Sequence, residues 1–405
     1  MKTVAIVFLF LSYHCFAQKE ANIWYFGEQA GLDFNNGPPV ALTNCSPLFH
    51  GFEGVGSLSD SSGNLLFYNE GNNVFNANHV VMANGTGLLS NISSTESGLS
   101  VKQPGNDSIY YLFHINYLFF VDSFYYSIVN MSLDGGLGDV AQKNILLREN
   151  TTEKVTPVIH SNGTDIWIVT HDMNSDVFAA YLLTSSGLNA TPVISNTGPV
   201  YTSSQGYLKA APAGDKLASA DFTMNTYSFY DFNNNTGNVS NANVSPPDYS
   251  YAYGCEWSPD GTKLYGSREV YSDLWQFDVS AGLNVWITAT LIHENLSSEY
   301  EALQLGPDGR IYVSRYQTAW LGVVNDPDSA GLTCNYLDDG VDLLGRTCTV
   351  GLPNYNISIS NSPAPPFFAS ETVVCEKFCI SFFDSSTNSP TAWQWIFPGG
   401  SPASS

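Results

Sequence analysis

The sequence predicts an all-β chain whose main body is a seven-bladed β-propeller of four-stranded blades. Three observations predict it. One kind of turn recurs along the chain, a second turn follows most copies of it, and apolar or aromatic runs fill the intervals between them. The clearest copy is Trp257-Ser258-Pro259-Asp260-Gly261-Thr262-Lys263-Leu264-Tyr265. Pro259 presets φ, Asp260 can bond its own backbone, and Gly261 tolerates the left-handed region, so the stretch reads as strand, tight turn, strand. Related turns carry glycines 63, 105, 163, 214 and 309, so with Gly261 the steps are 42, 58, 51, 47 and 48 residues. A period near fifty marks an array of supersecondary units. The second turn appears at Asp134-Gly135-Gly136, Ser185-Ser186-Gly187, Asn233 to Gly237, Asp278 to Gly282 and Asp326 to Gly331. Two hairpin turns per unit imply about four strands per unit, the composition of a propeller blade. Sandwiches need longer units and solenoids shorter ones.

In chain order, residues 1–17 read as a signal peptide. Lys2 is the positive start, Val4 to Leu11 the apolar core and Cys15-Phe16-Ala17 the small-x-small cleavage site. The run is too short to span a bilayer, and no other apolar stretch is long enough, so no membrane span is expected. The expected location is outside the cell, secreted or on the cell surface.

Residues 18–360 are the expected propeller. Asn22 to Gly27, Ala30 to Phe34 and Val40 to Leu42 give three strands with no first strand ahead of them. The segment 349–358 gives a first strand with no blade behind it. Joined, they form a composite blade that closes the ring and removes exposed sheet edges. A Pro-rich linker follows at 361–368. Residues 369–405 then alternate as the front part of a second β domain, too short for a sandwich core of its own. Either the sequence is a fragment that stops at Ser405, or this tail packs on something else.

Acidic residues outnumber basic ones 37 to 14, for a formal charge of −23. That excludes nucleic acid and anionic membrane surfaces as partners. In an exported chain the six cysteines after Cys15 permit disulfides, and Cys334 with Cys348 is the favoured pair across a turn-rich segment.

The tail resembles the PKD domain, an immunoglobulin-like sandwich. The residues that carry the resemblance are Phe382-x-Asp384-x-Ser386 and Trp393-x-Trp395-x-Phe397-Pro398-Gly399-Gly400-x-Pro402. The body is similar to the WD40-like and YVTN-type propellers that precede PKD domains in exported proteins of gliding Gram-negative bacteria. It carries that likeness in Ala302 to Tyr312, Val324 to Pro327 and Gly351 to Tyr355. The resemblance implies export, type IX secretion and surface display.

No catalytic constellation stands out. Asp326 and Asp328 are the one calcium candidate, but they lack the further ligands of a known loop and read as a turn, so no cofactor is expected. His50, His79, His114, His160, His171 and His293 show no metal or acid–base spacing. Glu299 with Glu301, and Asp338 with Asp339, are carboxylate pairs of the kind a glycosidase uses. Of the aromatic clusters, Tyr249, Tyr251 and Tyr253 look least like core and are the weak binding candidates. The expected function is a monomeric exported scaffold that binds a surface protein or glycan in adhesion, without catalysis. A channel-based glycoside hydrolase or lyase is the alternative.

Overall fold

The computed structural model describes residues 19–118, 121–355, 367–369 and 382–384. Within them the chain is all-β, built from antiparallel meanders in strict chain order. The first sheet has three strands, β1 (Ile23–Phe26), β2 (Ala30–Asp33) and β3 (Val40–Leu42). The second holds β4 (Val55–Ser59), β5 (Leu65–Glu70), β6 (Asn73–Asn76) and β7 (Val81–Thr86). The third holds β8 (Leu99–Lys102), β9 (Ile109–Leu118), β10 (Val121–Asn130) and β11 (Asp139–Glu149). A single parallel pairing, Asp139 with Ala83, joins the second and third at their outer strands.

The fourth sheet holds β12 (Thr151–Ile159), β13 (Ile166–Asp172) and β14 (Ser175–Thr184), with β15 (Gly187–Leu188) and β16 (Val193–Tyr201) sharing its edge. The fifth holds β17 (Leu208–Ala210), β18 (Lys216–Asp221), β19 (Thr226–Asn233) and β20 (Asn238–Val244). The sixth holds β21 (Ala252–Trp257), β22 (Lys263–Arg268), β23 (Asp273–Asp278) and β24 (Thr290–Glu294). The seventh holds β25 (Tyr300–Leu305), β26 (Ile311–Arg315), β27 (Trp320–Val324) and β28 (Tyr336–Asp342). A separate short pair, β29 (Phe367–Ala369) with β30 (Phe382–Asp384), belongs to a different compact unit from Lys19–Asn361.

The recurring turn does what its residues dictate. Gly261 sits at φ 70°, and its counterparts 63, 105, 163, 214 and 309 all have positive φ, each between the first and second strand of a sheet. Asp260 Oδ1 accepts from the Thr262 N–H at 2.8 Å and from the Ser258 hydroxyl at 2.8 Å, which fixes the turn from its own side chain.

Apolar clusters fill the spaces between consecutive sheets. Leu58, Phe67, Tyr110 and Val129 join the second to the third, Phe113, Val155 and Tyr181 the third to the fourth, and Val158, Trp167, Leu217 and Tyr230 the fourth to the fifth. The first strands of successive sheets abut one another, from β1 and β4 through β8, β12, β17 and β21 to β25.

The segment expected to close the array, 349–358, is described as far as Tyr355. It lies against both ends of the chain without forming a strand. The Val350 N–H donates to Phe52 O at 2.9 Å and the Asn354 N–H to Val55 O at 3.2 Å, while the Ala302 N–H donates to Val350 O at 3.2 Å. Glu28 pairs with Thr347 through one isolated bridge. The strand pairing expected there is reduced to single bonds because Gly351 is pressed onto the turn before β4. A methyl there would lie 1.5 Å from Glu53 O. Glycine is the residue that permits that approach.

The disulfide expectation fails. Cys334 and Cys348 are both buried free thiols, as are Cys45 and Cys255. β28 runs between them in the chain and carries them to different places. Cys334 packs with Tyr265 and Ile292, whereas Cys348 Sγ lies 3.3 Å from Thr318 O within another cluster. The signal segment, Cys375, Cys379 and the PKD-like residues from Ser386 onward lie outside the described residues.

Candidate active site

Where the first strands abut, polar side chains replace apolar ones. Glu53 precedes β4, Thr95 and Glu96 precede β8, Glu153 and Lys154 lie in β12, Lys209 in β17, Tyr253 and Glu256 in β21, and Glu301 and Gln304 in β25. All are buried. A charge in such a place is neutralised, paired or fully hydrogen-bonded.

Glu53 and Glu153 meet through Thr95. Its hydroxyl lies 2.9 Å from Glu53 Oε1 and 2.7 Å from Glu153 Oε2. The Ser93 hydroxyl donates to Glu53 Oε2 at 2.9 Å, and the Tyr253 hydroxyl donates to Glu53 Oε1. Glu153 accepts from the Thr95 N–H at 2.9 Å and from the Ser204 hydroxyl at 3.2 Å. A threonine hydroxyl has one hydrogen. Two hydrogen bonds from it to carboxyls therefore require one carboxyl to be an acid that donates back. Burial, followed by the neighbouring Glu153 charge, pushes Glu53 up to about 8, and burial raises Glu153 as well. Glu53 and Glu153 are both buried, at 5% and 6% exposure.

More carboxyls surround the pair. Burial and the Glu153 charge push Asp122 up to about 7. Burial, with Glu269, Glu299 and Glu53 nearby, raises Glu301 well above its ordinary range, and Glu301 Oε2 has no hydrogen-bond partner.

Deeper in, the groups are closed on each other. Glu96 Oε2 accepts from the N–H groups of Val155 at 3.0 Å and Leu208 at 2.8 Å, and burial pushes it up to about 8. Lys209 donates to Gln304 Oε1 at 2.7 Å and faces Glu256 at 3.8 Å. Lys154 donates to the carbonyls of Gln205, Gly206 and Ala220 at 2.8, 2.6 and 2.8 Å. A cavity of about 10 Å³ lined by Lys209, Glu256, Gln304 and Asn354 remains, about the room one water needs.

Of the sequence candidates, Tyr253 joins the Glu53 site. Tyr249 is buried against Tyr227, Trp275 and Phe277, and only Tyr251 is open, at 39% exposure. Glu301 and Glu299 lie at the carboxyl cluster, whereas Arg315 holds both Asp338, at 3.0 Å, and Asp339. His114 is closed by Leu89 O at 2.7 Å and Ser127 at 2.9 Å, and burial holds it down near 4. The calcium candidate Asp328 accepts the Asp260 N–H at 3.0 Å, a link between turns. Among the described residues no three His, Cys, Asp or Glu side chains are grouped to hold a metal, and no helix is long and apolar enough to cross a membrane.

Glu53, Glu96, Glu153 and Lys209 were not read from the sequence. The signal was positional. Glu53 and Glu153 stand ten residues before turn glycines 63 and 163, and Lys209, Glu256 and Gln304 five residues before glycines 214, 261 and 309.

No family model matches this sequence, and no curated protein does. Solved structures do. A Bacteroides fragilis protein provisionally described as a 6-phosphogluconolactonase shares 12% identity over 83% of this chain and 98% of its own, with a TM-score of 0.52. A second protein of that description, from Bacteroides uniformis, shares 12% over 71% and 96%, with a TM-score of 0.40. A protein of unknown function from Desulfotomaculum acetoxidans shares 12% over 83% and 99%, with a TM-score of 0.45. The first likeness shows the fold, an all-β, propeller-like one of the lactonase type. It also corrects the functional expectation. The fold neighbour is described as an enzyme, not as an adhesion scaffold.

Proposed function

We propose that this chain is a seven-bladed propeller enzyme that hydrolyses an uncharged or cationic ester or lactone by acid–base catalysis at Glu53, Thr95 and Glu153. The observation that carries the proposal is the single threonine hydroxyl shared by two buried carboxyls. Like-charged groups so placed divide into one acid and one base, which is what carbonyl hydrolysis needs. Glu153, as carboxylate, takes a proton from water, and the resulting hydroxide adds to the substrate carbonyl. Glu53, as acid, gives its proton to the departing alkoxide. The proton on Glu153 then returns to Glu53 through the Thr95 hydroxyl, which restores the starting state.

The seven-bladed reading is supported by the six meanders of four or more strands, the three-stranded first sheet and the bonds from residues 350–354 to Phe52, Val55 and Ala302. The leader-like residues 1–17 and the acidic charge support export within the same proposal.

The site argues against a phosphorylated substrate. Lys209 and Lys154 are already engaged, by Gln304 and by backbone carbonyls, and are not open to a phosphate group.

The test is hydrolysis of p-nitrophenyl acetate and γ-butyrolactone by wild type, Glu53→Gln and Glu153→Gln. Each variant is expected to lose kcat/KM by about 10²–10⁴-fold, with the folded spectrum retained. Absence of turnover in the wild type, or equal turnover in all three, overturns the proposal.

A further inference from the structure

A cleft of about 380 Å³ lies between the fifth and sixth sheets, lined by Phe222, Thr223, Asn225, Ser250, Tyr251 and Tyr271. The loops that build it join β18 to β19, β20 to β21 and β22 to β23. The loop ahead of β21 enters the array at the same end as the loops ahead of β4 and β8, which carry Glu53 and Thr95. The cleft therefore lies at the end of the array from which those loops enter.

Its central residue is held in an unfavourable conformation. Tyr251 has φ 62°, a left-handed setting that a bulky side chain rarely adopts. Asn225 Oδ1 accepts the Tyr251 N–H at 3.2 Å, and Tyr251 O accepts the Glu269 N–H at 3.1 Å. The ring so presented lies 5.0 Å from Phe222 and 6.1 Å from Tyr271, and is 39% exposed. Strain of this kind collects at ligand clamps.

The surroundings select charge. Asp248 and Glu269 lie in the chain segments whose loops build the cleft, and the whole chain carries −23. Arg268 stands over the Tyr271 ring at 4.5 Å, so the ring face already receives a cation, and Asp273 neutralises that guanidinium through contacts of 2.8 and 3.0 Å. Aromatic faces beside carboxylates on an acidic surface are the chemistry that holds organic ammonium ions.

We propose that the Phe222–Tyr251–Tyr271 cleft binds an organic ammonium group. This deepens the hydrolase reading in one respect only: it names the cationic part of that enzyme's substrate, and the binding itself stands without catalysis.

Choline and its neutral isostere 3,3-dimethylbutanol are titrated into the full chain and into Tyr251→Gly, followed by ligand NMR. Glycine relieves the backbone at that position, so loss of the ring does not threaten the fold. Choline is expected to bind about tenfold more tightly than the alcohol and to lose that advantage in Tyr251→Gly. Equal binding of the two ligands, no binding of choline, or choline binding retained in Tyr251→Gly overturns the inference. Glu53→Gln separates the two readings. It keeps choline binding if the cleft reading holds, whereas ester hydrolysis that depends on Glu53 without choline binding removes only the cleft.

Discussion

Glu53 and Glu153, from different sheets, converge on the hydroxyl of Thr95 at 2.9 and 2.7 Å. One hydroxyl hydrogen cannot serve two carboxylates, so the arrangement stores a proton and gives it a path between two acids. Thr95→Val keeps the shape and the backbone N–H bond to Glu153 but removes that path. Hydrolysis is expected to fall about 10–100-fold, and the pH–rate profile is expected to lose the linked behaviour of the pair. Steady-state rates across pH are the check, since a merely structural role would leave the profile unchanged.

Stability is expected to fall as pH rises from 6.5 to 8. Glu53 and Glu96 are pushed up to about 8 and Asp122 to about 7, all chiefly by burial, so the folded chain holds protons there that the unfolded chain has lost. When the native state binds more protons, the slope of stability against pH is negative. His114 and His171, held down near 4 and 3 by burial, act in the opposite direction, but their window closes by about 6.5, the ordinary histidine value. The melting temperature should therefore drop by a few degrees over that interval. The double variant Glu53→Gln, Glu96→Gln should flatten the drop.

Gly351→Ala should damage stability and catalysis together. The added methyl meets Glu53 O at 1.5 Å, so either the segment 347–355 or the turn carrying Glu53 must move. Overpacking of this sort costs about 1–3 kcal/mol or more. Urea unfolding measures the first effect and ester turnover the second.

Cys334 and Cys348 should both alkylate once the chain is unfolded without reductant, because both are free in the fold. Peptide mapping decides it, and a cross-linked 334–348 peptide would contradict the structure.

Much of the fold was legible because turn chemistry is local. Pro259, Asp260 and Gly261 specify their turn wherever they stand, and six copies at a regular step gave the sheet order. The closing segment was harder to read. It was expected as a strand, but the contact of Gly351 with Glu53 depends on a meeting of segments far apart in the sequence. The site was less legible still. Glu153 looks like a solvated charge beside Lys154, and only when β12 lies against β8 and β17 do the two take separate partners. Tyr249 and Tyr253 read as open because they alternate with Tyr251, yet the neighbouring rings Tyr227 and Phe277 bury the first and Glu53 engages the second.

The account rests on one proton shared by two carboxyls. Carbon-13 NMR of chain labelled at the glutamate carboxyls, with Glu53→Gln and Glu153→Gln used for assignment, follows that proton directly. One of the two carboxyls is expected to stay protonated at pH 7, and to release its proton near 8 with a response in the other. Two carboxyls that both titrate at the ordinary glutamate value, independently of each other, would contradict it.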